Sequence, residues 1–418
     1  MPVLEIRVPG DKSIAHRGLI LGALAEGESL IDQVPTGQDV LATEACLRAL
    51  GTGIERTDGR VRVRGAGLAA WQTAGAPLDC QNSGTTMRLL TGVLAGSRVS
   101  ASLTGDASLR RRPMARVVEP LRAMGARITS HDGMAPLRIE GTALTGRQHR
   151  LPIPSAQVKS ALLLAGLFAQ GPTSIEEPLP TRDHTERLLR AMGAPITADQ
   201  GRTGVEPLAA PLKPLRLTIP GDFSSAAFWL AAAAMRPGFS VRVVGVGLNP
   251  TRTAFLPMLV RMGAEVRVDQ EPDAALEPAG DVTVTGRRLQ GLRVDAAGAA
   301  SAVDEIPILM VVATQAEGTT SIDGAGELRV KESDRLRSMT EGLRRMGARV
   351  EELPDGVRII GPTPLRTATV DAAGDHRVAM ALGVAGLLAK GSIQIIGAAS
   401  ADVSYPGFFK QLGLVAGD

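Results

Sequence analysis

One short pattern runs through this chain six times: an apolar helix-like run, a glycine, a strand-like run, then a second helix closing on Leu-Gly or Met-Gly. The first glycine of each copy is Gly27, Gly96, Gly171, Gly238, Gly318 and Gly391, and the second is Gly51, Gly125, Gly193, Gly263, Gly347 and Gly413. Their separations are 24, 29, 22, 25, 29 and 22 residues, a short-long-short series that occurs twice. Such a chain folds as repeated supersecondary units, and the grouping by threes predicts two halves of three units each. A second match supports the halving. Pro9-Gly10-Asp11-Lys12-Ser13-Ile14-Ala15 and Pro220-Gly221-Asp222-Phe223-Ser224-Ser225-Ala226 share the frame Pro-Gly-Asp-x-Ser-x-Ala, 211 residues apart. Each Pro-Gly-Asp is a turn placed ahead of a helix-like run, so the two read as the connections between the halves.

A chain of 418 residues suits two domains, since single cores stop growing beyond about 250–300 residues. An elongated solenoid is the competing architecture. Its period is roughly 20–45 residues, whereas the copies here recur every 66 to 84. The interior must be aliphatic, because aromatics are 2% of a chain that is 44% hydrophobic. That scarcity of stacking platforms argues against single-stranded nucleic-acid binding. The net charge of +3 is spread singly over short loops, which suits a small anion better than a duplex. Two cysteines, Cys46 and Cys80, without CxxC spacing point to a reducing cytoplasm. The charged N-terminus reads as no signal peptide. The longest apolar run, Val378–Ala389, is 12 residues, short of the ~20 that span a bilayer.

The first helix of each unit should be buried on most faces, and the Leu-x-x-Met-Gly helices half exposed with glycine as their stop. Strands are expected after them, as at Ala126–Thr129 and Ala348–Glu351. Glu140–Arg150 and Asp269–Gly280 read as surface hairpins.

Polar residues gather where the apolar helices begin: Gly10-Asp11-Lys12-Ser13-Ile14-Ala15-His16-Arg17, Asn82-Ser83-Gly84-Thr85-Thr86-Met87-Arg88, Ser155-Ala156-Gln157-Val158-Lys159, Asp304-Glu305-Ile306-Pro307 and Gly374-Asp375-His376-Arg377. Helix N-termini suit phosphates and carboxylates. Lys12, Arg17, Arg88, Arg112, Arg182, Lys331, Arg335 and Arg377 supply more cations than one phosphate needs. P-loop, dinucleotide, zinc and nucleophilic-serine signatures are absent from the sequence. Acid–base chemistry on an anionic substrate remains.

Five motifs, Gly10-Asp11-Lys12-Ser13-x-x-His16-Arg17, Asn82-x-Gly84-Thr85-x-x-Arg88, Arg112-Pro113, Arg329-Val330-Lys331-Glu332-Ser333-Asp334-Arg335 and Asp375-His376-Arg377, resemble the motif set of the 5-enolpyruvylshikimate-3-phosphate synthase family, in order, from about Pro9 to Phe409. Ser155–Lys159, Arg182–Glu186 and Asn249–Arg252 further resemble its class II subgroup. The resemblance implies an α/β enolpyruvyl transferase fold of two inverse α/β barrel domains, each of three βαβαββ units. The domains would be residues 11–220 (the phosphoshikimate side) and residues 1–10 with 221–418, hinged near 9–11 and 220–222 and closing on ligand. The implied reaction transfers the enolpyruvyl group of phosphoenolpyruvate to the 5-hydroxyl of shikimate 3-phosphate through a tetrahedral intermediate, releasing phosphate.

The resemblance also implies the site. Shikimate 3-phosphate falls to Lys12, Ser13, Arg17, Ser155, Ala156 (by its backbone, where other members have serine), Gln157, Arg182, Asp304 and Lys331. Phosphoenolpyruvate falls to Lys12, Gly84, Arg112, Gln157, Arg335 and Arg377. Asp304 would take the hydroxyl proton, with Glu305 the alternative carboxylate or Asp304 a helix cap; Glu332, with Lys12, would serve the proton at C3. Arg112 stands in a triple Arg110-Arg111-Arg112, and the following proline favours it. Thr181 and Thr185 read as caps, and His16 and His184 as hydrogen-bonded structural residues; His131 and His149 take no role. A lysine that other members carry near the C-terminus is Val403 here. Gly84 leaves room for glyphosate, so sensitivity is expected. A cytoplasmic monomer with no metal, cofactor, nucleic acid or membrane partner is implied. The rivals are the UDP-N-acetylglucosamine enolpyruvyl transferases, which normally use a loop cysteine, and an RNA-terminal phosphate cyclase-like protein.

Overall fold

A computed structural model describes residues 3–199, 201–271 and 276–416, with side chains to residue 413. By its contacts the chain divides into two compact units, Gly10–Ile219, and Met1–Pro9 with Pro220–Asp418.

Within Gly10–Ile219, three four-stranded sheets share one strand order: a first strand parallel to the second, then two strands joined antiparallel. They run Arg216–Thr218, Glu26–Asp32, Arg60–Ala66, Gly53–Thr57; Leu78–Asp79, Ser100–Thr104, Met134–Glu140, Arg127–His131; and Gln148–Arg150, Thr173–Glu176, Arg202–Val205, Ile196–Asp199. The other unit repeats the order in Val3–Ile6, Ser240–Gly247, Ala279–Thr285, Glu265–Gln270 and in Arg293–Val294, Gly318–Asp323, Gly356–Gly361, Arg349–Leu353. Its third sheet is the parallel pair Thr369–Asp371 and Gln394–Ile396 among the described residues. The first strand of each unit's leading sheet is distant in sequence from its neighbour: Arg216–Thr218 ends Gly10–Ile219, and Val3–Ile6 comes from the start of the chain. Leu217 pairs with Ile31, and Leu4 with Val241.

The Ala/Leu-rich helices form the core of each unit. Ile14 to Leu24 are buried throughout helix Lys12–Leu24, and so is every residue of helix Phe223–Ala234. The helices that follow keep one wet face; helix Arg335–Arg345 buries Leu336, Met339 and Leu343 while Arg337, Arg344 and Glu341 stay out. Five of them stop at the expected glycine. Gly51, Gly125, Gly193, Gly263 and Gly347 have φ between 87° and 103°. The next residue then donates its N–H back into the last turn, as Thr52 to Leu47 O and Ala348 to Leu343 O. A left-handed residue at this place costs glycine nothing.

Two expectations are corrected. Gly413 lies inside helix Phe408–Ala416 and stops nothing. Glu140–Arg150 is no hairpin: Leu144–Thr145 and Gln148–Arg150 pair parallel with Ala169–Gln170 and Thr173–Glu176. Asp269–Gly280 does close an antiparallel pair, and residues 272–275 of it lie outside the described residues, as do 1, 2, 200, 417 and 418. No helix among the described residues is long and apolar enough to cross a membrane.

Candidate active site

In Gly10–Ile219 the helix starts carry the motif residues because aspartate and serine cap them. Asp11 accepts from Ile14 N at 3.0 Å, Ser83 from Thr86 N at 3.1 Å and Ser155 from Val158 N at 3.4 Å, each satisfying a donor that a helix start leaves open. Lys12 Nζ meets Asp39 Oδ2 at 2.9 Å. Arg17, 3% exposed, donates from Nε to Thr185 Oγ1 at 2.7 Å, from Nη2 to Ser160 Oγ at 2.9 Å and from Nη1 to Ser13 O at 2.9 Å. Arg182 Nη1 reaches Ser13 Oγ at 3.4 Å. Gln157 donates to Thr85 Oγ1 at 2.8 Å and accepts from Arg88. Arg112 donates to Asn82, which in turn donates to Asp106 at 2.6 Å. A Cβ at Gly84 would lie 2.7 Å from Arg88 Nη1, so the guanidinium occupies the space a side chain would need.

The loop bearing Arg182 is held from below. Lys159 Nζ, buried, sits 2.7 Å from Glu177, 2.8 Å from Glu186 and 3.4 Å from Thr181 O. Burial pulls its pKa down, yet Glu186 and Glu177 outweigh that and raise it above the ordinary lysine value.

The second unit gathers arginines around one aspartate. Asp304 Oδ1 is 3.4 Å from both Arg335 Nη1 and Arg377 Nε, and its Oδ2 is 3.8 Å from Arg252 Nη1. Arg377 Nη1 also donates to Asp304 O at 3.2 Å. Arg335, 2% exposed, donates to Asp375 Oδ2 at 2.7 Å and to Glu332 Oε2 at 2.5 Å. Burial lowers its pKa, but Asp375, Glu332 and Asp304 together raise it. Asp375 caps helix His376–Gly386 by accepting from Arg377 N at 2.9 Å. Lys331 Nζ donates to Glu327 Oε1 at 3.2 Å, and burial draws its pKa below that of a free lysine against Glu327, Asp304 and Glu332. Glu305 points elsewhere: it is buried, accepts from Ser224 Oγ, and burial raises its pKa despite Arg252.

His16 shows what burial does to a charge beside this site. Desolvation, with Lys12 and Arg17 assisting, lowers its pKa to about 3 against the pull of Asp39 and Asp11. The unfolded chain takes up a proton below pH ~6.5 that the folded unit refuses, so this contribution to stability is whole above that pH and is lost as pH falls toward the folded value. Between about pH 7.5 and about pH 5 the loss is ~2 kcal/mol. Urea unfolding of His16→Asn should show an acid dependence weaker by that amount; an unchanged dependence contradicts the burial argument.

The EPSP synthase (3-phosphoshikimate 1-carboxyvinyltransferase) family model matches residues 4–412. The chain belongs to the EPSP synthase family. It is 49% identical over 413 residues to the 3-phosphoshikimate 1-carboxyvinyltransferase of Synechococcus sp. (strain JA-3-3Ab), covering 98% of this chain and 93% of that one. To the enzyme of the same description from Gloeobacter violaceus (strain ATCC 29082 / PCC 7421) it is 50% identical over 415 residues, covering 98% and 96%. Among solved structures, EPSP synthase from Acinetobacter baumannii matches with a TM-score of 0.86 at 40% identity, over 99% of this chain and 96% of that one. The enolpyruvyl transferase NikO from Streptomyces tendae, 20% identical with a TM-score of 0.78 over 99% and 95%, shares the fold. The activity is therefore 3-phosphoshikimate 1-carboxyvinyl transfer in the shikimate pathway, and shikimate 3-phosphate and phosphoenolpyruvate follow as substrates from that identity.

Set against the EPSP synthase motifs, the geometry distinguishes neighbours that share the same chemistry. Of the triple arginine, Arg112 is buried while Arg110 and Arg111 are exposed. Asp304, not Glu305, meets Arg335 and Arg377, and it does not cap the following helix, which begins at Ile306 after Glu305. Thr185 is no cap either, since its hydroxyl serves Arg17, and Thr181 bonds Glu177. Val403 ends the short 3-10 stretch Ala398–Val403, ahead of a loop pinned by buried Tyr405, which donates to Gln411 at 2.7 Å. Both cysteines are buried, Cys46 within helix Gln38–Ala49. Sequence reasoning missed Asp39, Ser160 and Glu177, and it placed Glu186 in a motif without a role. Their roles depend on partners 18 or more residues away.

Proposed function

We propose that Asp304 is the base that accepts the 5-hydroxyl proton of shikimate 3-phosphate as that oxygen bonds to C2 of phosphoenolpyruvate. C3 gains a proton from Glu332 with Lys12, giving a tetrahedral adduct. Return of the C3 proton breaks the C2–O bond to phosphate, and the enol ether and inorganic phosphate leave. The observation that carries this reading is Asp304 held by Arg335, Arg377 and Arg252, with Glu332 on the same arginine. Guanidiniums offer bidentate donors to a substrate carboxylate or phosphate, and a carboxylate held among them is positioned to serve the substrate they hold as a general base. Lys12, Ser13, Arg17, Ser155, the Ala156 backbone, Gln157, Arg182 and Lys331 are assigned to shikimate 3-phosphate. Lys12, Gly84, Arg112, Gln157, Arg335 and Arg377 are assigned to phosphoenolpyruvate. The same reading takes each compact unit as an inverse α/β barrel of three βαβαββ repeats, which the recurring strand order supports.

The test is phosphate release from phosphoenolpyruvate with shikimate 3-phosphate or UDP-N-acetylglucosamine as acceptor. Turnover with the first alone is expected; turnover with the sugar nucleotide alone overturns the reading.

A further inference from the structure

A buried chain of hydroxyls joins two of the capped helix starts of Gly10–Ile219, those at Asp11 and Ser83, and it begins at an imidazole. His16 lies on helix Lys12–Leu24, one turn after Lys12, and is fully buried. Its Nδ1 is 2.7 Å from Thr43 Oγ1, Thr43 Oγ1 is 2.6 Å from Thr86 Oγ1, and Thr86 Oγ1 donates to Ser83 Oγ at 2.7 Å. Ser83 is the cap of helix Gly84–Ala95. No member of the chain is more than 1% exposed. Asp39 ties the same parts together: its carboxylate holds Lys12, and its backbone oxygen accepts from Thr86 at 3.4 Å.

The order of the protons follows. A hydroxyl has one proton to give, and that of Thr86 goes to Ser83 or Asp39 O. Thr86 then accepts from Thr43, and Thr43 accepts from His16 Nδ1–H. His16 is thus a neutral donor, in keeping with a pKa lowered to about 3 by burial beside Lys12 and Arg17, against Asp39 and Asp11.

We propose that His16 is a positioning residue for the enolpyruvyl donor: through Thr43 and Thr86 it fixes the Ser83 cap, and with it the helix start that carries Asn82, Gly84, Thr85 and Arg88. This rests on the assignment of Gly84 and Arg112 to phosphoenolpyruvate. A site of backbone N–H groups works only when its helix start is held to within about 0.5 Å by its supporting contacts, and a misplacement of ~1 Å costs up to 10²-fold.

Thr43→Val keeps the side-chain shape and removes the hydroxyl at the middle of the chain. It should raise KM for phosphoenolpyruvate about tenfold, with kcat and KM for shikimate 3-phosphate within about twofold. Thr43→Ser, which keeps the hydroxyl, should restore the wild-type value. Should Thr43→Val not fold, His16→Leu against His16→Asn, which retains an N–H donor, reads the same split. An unmoved KM for phosphoenolpyruvate, an equal rise for both substrates, or a Ser variant as impaired as Val overturns the proposal. Wild-type enzyme without shikimate 3-phosphate-dependent turnover instead overturns the functional assignment on which it rests.

Discussion

Asp304→Asn should lower steady-state phosphate release about 10³-fold while changing either KM by no more than a few-fold, because a positioned base contributes ~10²–10⁴. The substitution keeps the shape of the side chain and its hydrogen-bonding oxygen. Arg335 retains Asp375 and Glu332, Arg252 retains Asp222, and Arg377 keeps the Asp304 backbone oxygen and a neutral side-chain oxygen to donate to, so the fold should hold. Only the capacity to take a proton disappears. Glu305→Gln is the comparison that gives the result meaning. Burial already favours the uncharged carboxyl of Glu305, which accepts from Ser224, so its neutral isostere should leave kcat within about threefold. A loss below about tenfold in Asp304→Asn, or a deeper one in Glu305→Gln, would place the base at the wrong residue.

Arg335→Met should destabilise the second unit by about 3–5 kcal/mol. Arg335 is buried against Asp375, whose side chain is 0% exposed, and also serves Glu332 and Asp304. Removing one partner of a buried ion pair leaves the other charge without compensation, which costs far more than the pair contributed. Asp375 would keep Ser333 Oγ at 3.3 Å and Arg377 N at 2.9 Å, neither of them a cationic side chain. Urea unfolding of the unit is the measurement. The double variant Arg335→Met/Asp375→Asn should recover part of the loss, since the stranded charge is then gone. A single-variant cost below ~1 kcal/mol would mean that water or another cation screens Asp375 in solution.

Much of this was legible in the sequence where the physics is local. The glycine stops were readable because a left-handed residue after a helix is a property of one position, and five of six behave so. The helix starts were readable because Asp11, Ser83, Ser155, Asp222 and Asp375 each cap within two or three residues. Choices among neighbours were not. Arg110, Arg111 and Arg112 have the same chemistry, and only packing turns the last inward. Partners across the fold were invisible for the same reason: nothing around Thr43 announces that its hydroxyl links His16 to Thr86. The short parallel strands Leu144–Thr145 and Gln148–Arg150 passed for a hairpin because strands of two or three residues carry no alternation, and their partners lie beyond the next helix.

On the proposed mechanism, protonation and deprotonation at C3 frame the transfer, with Glu332 serving C3 and Asp304 the 5-hydroxyl. Turnover in deuterated water reads this most directly. If C3 becomes a methyl group in the adduct and loses a proton in elimination, deuterium must enter the methylene of the enolpyruvyl product, and Glu332→Gln must slow its entry. Product formed at full rate with no deuterium in that methylene would contradict the account.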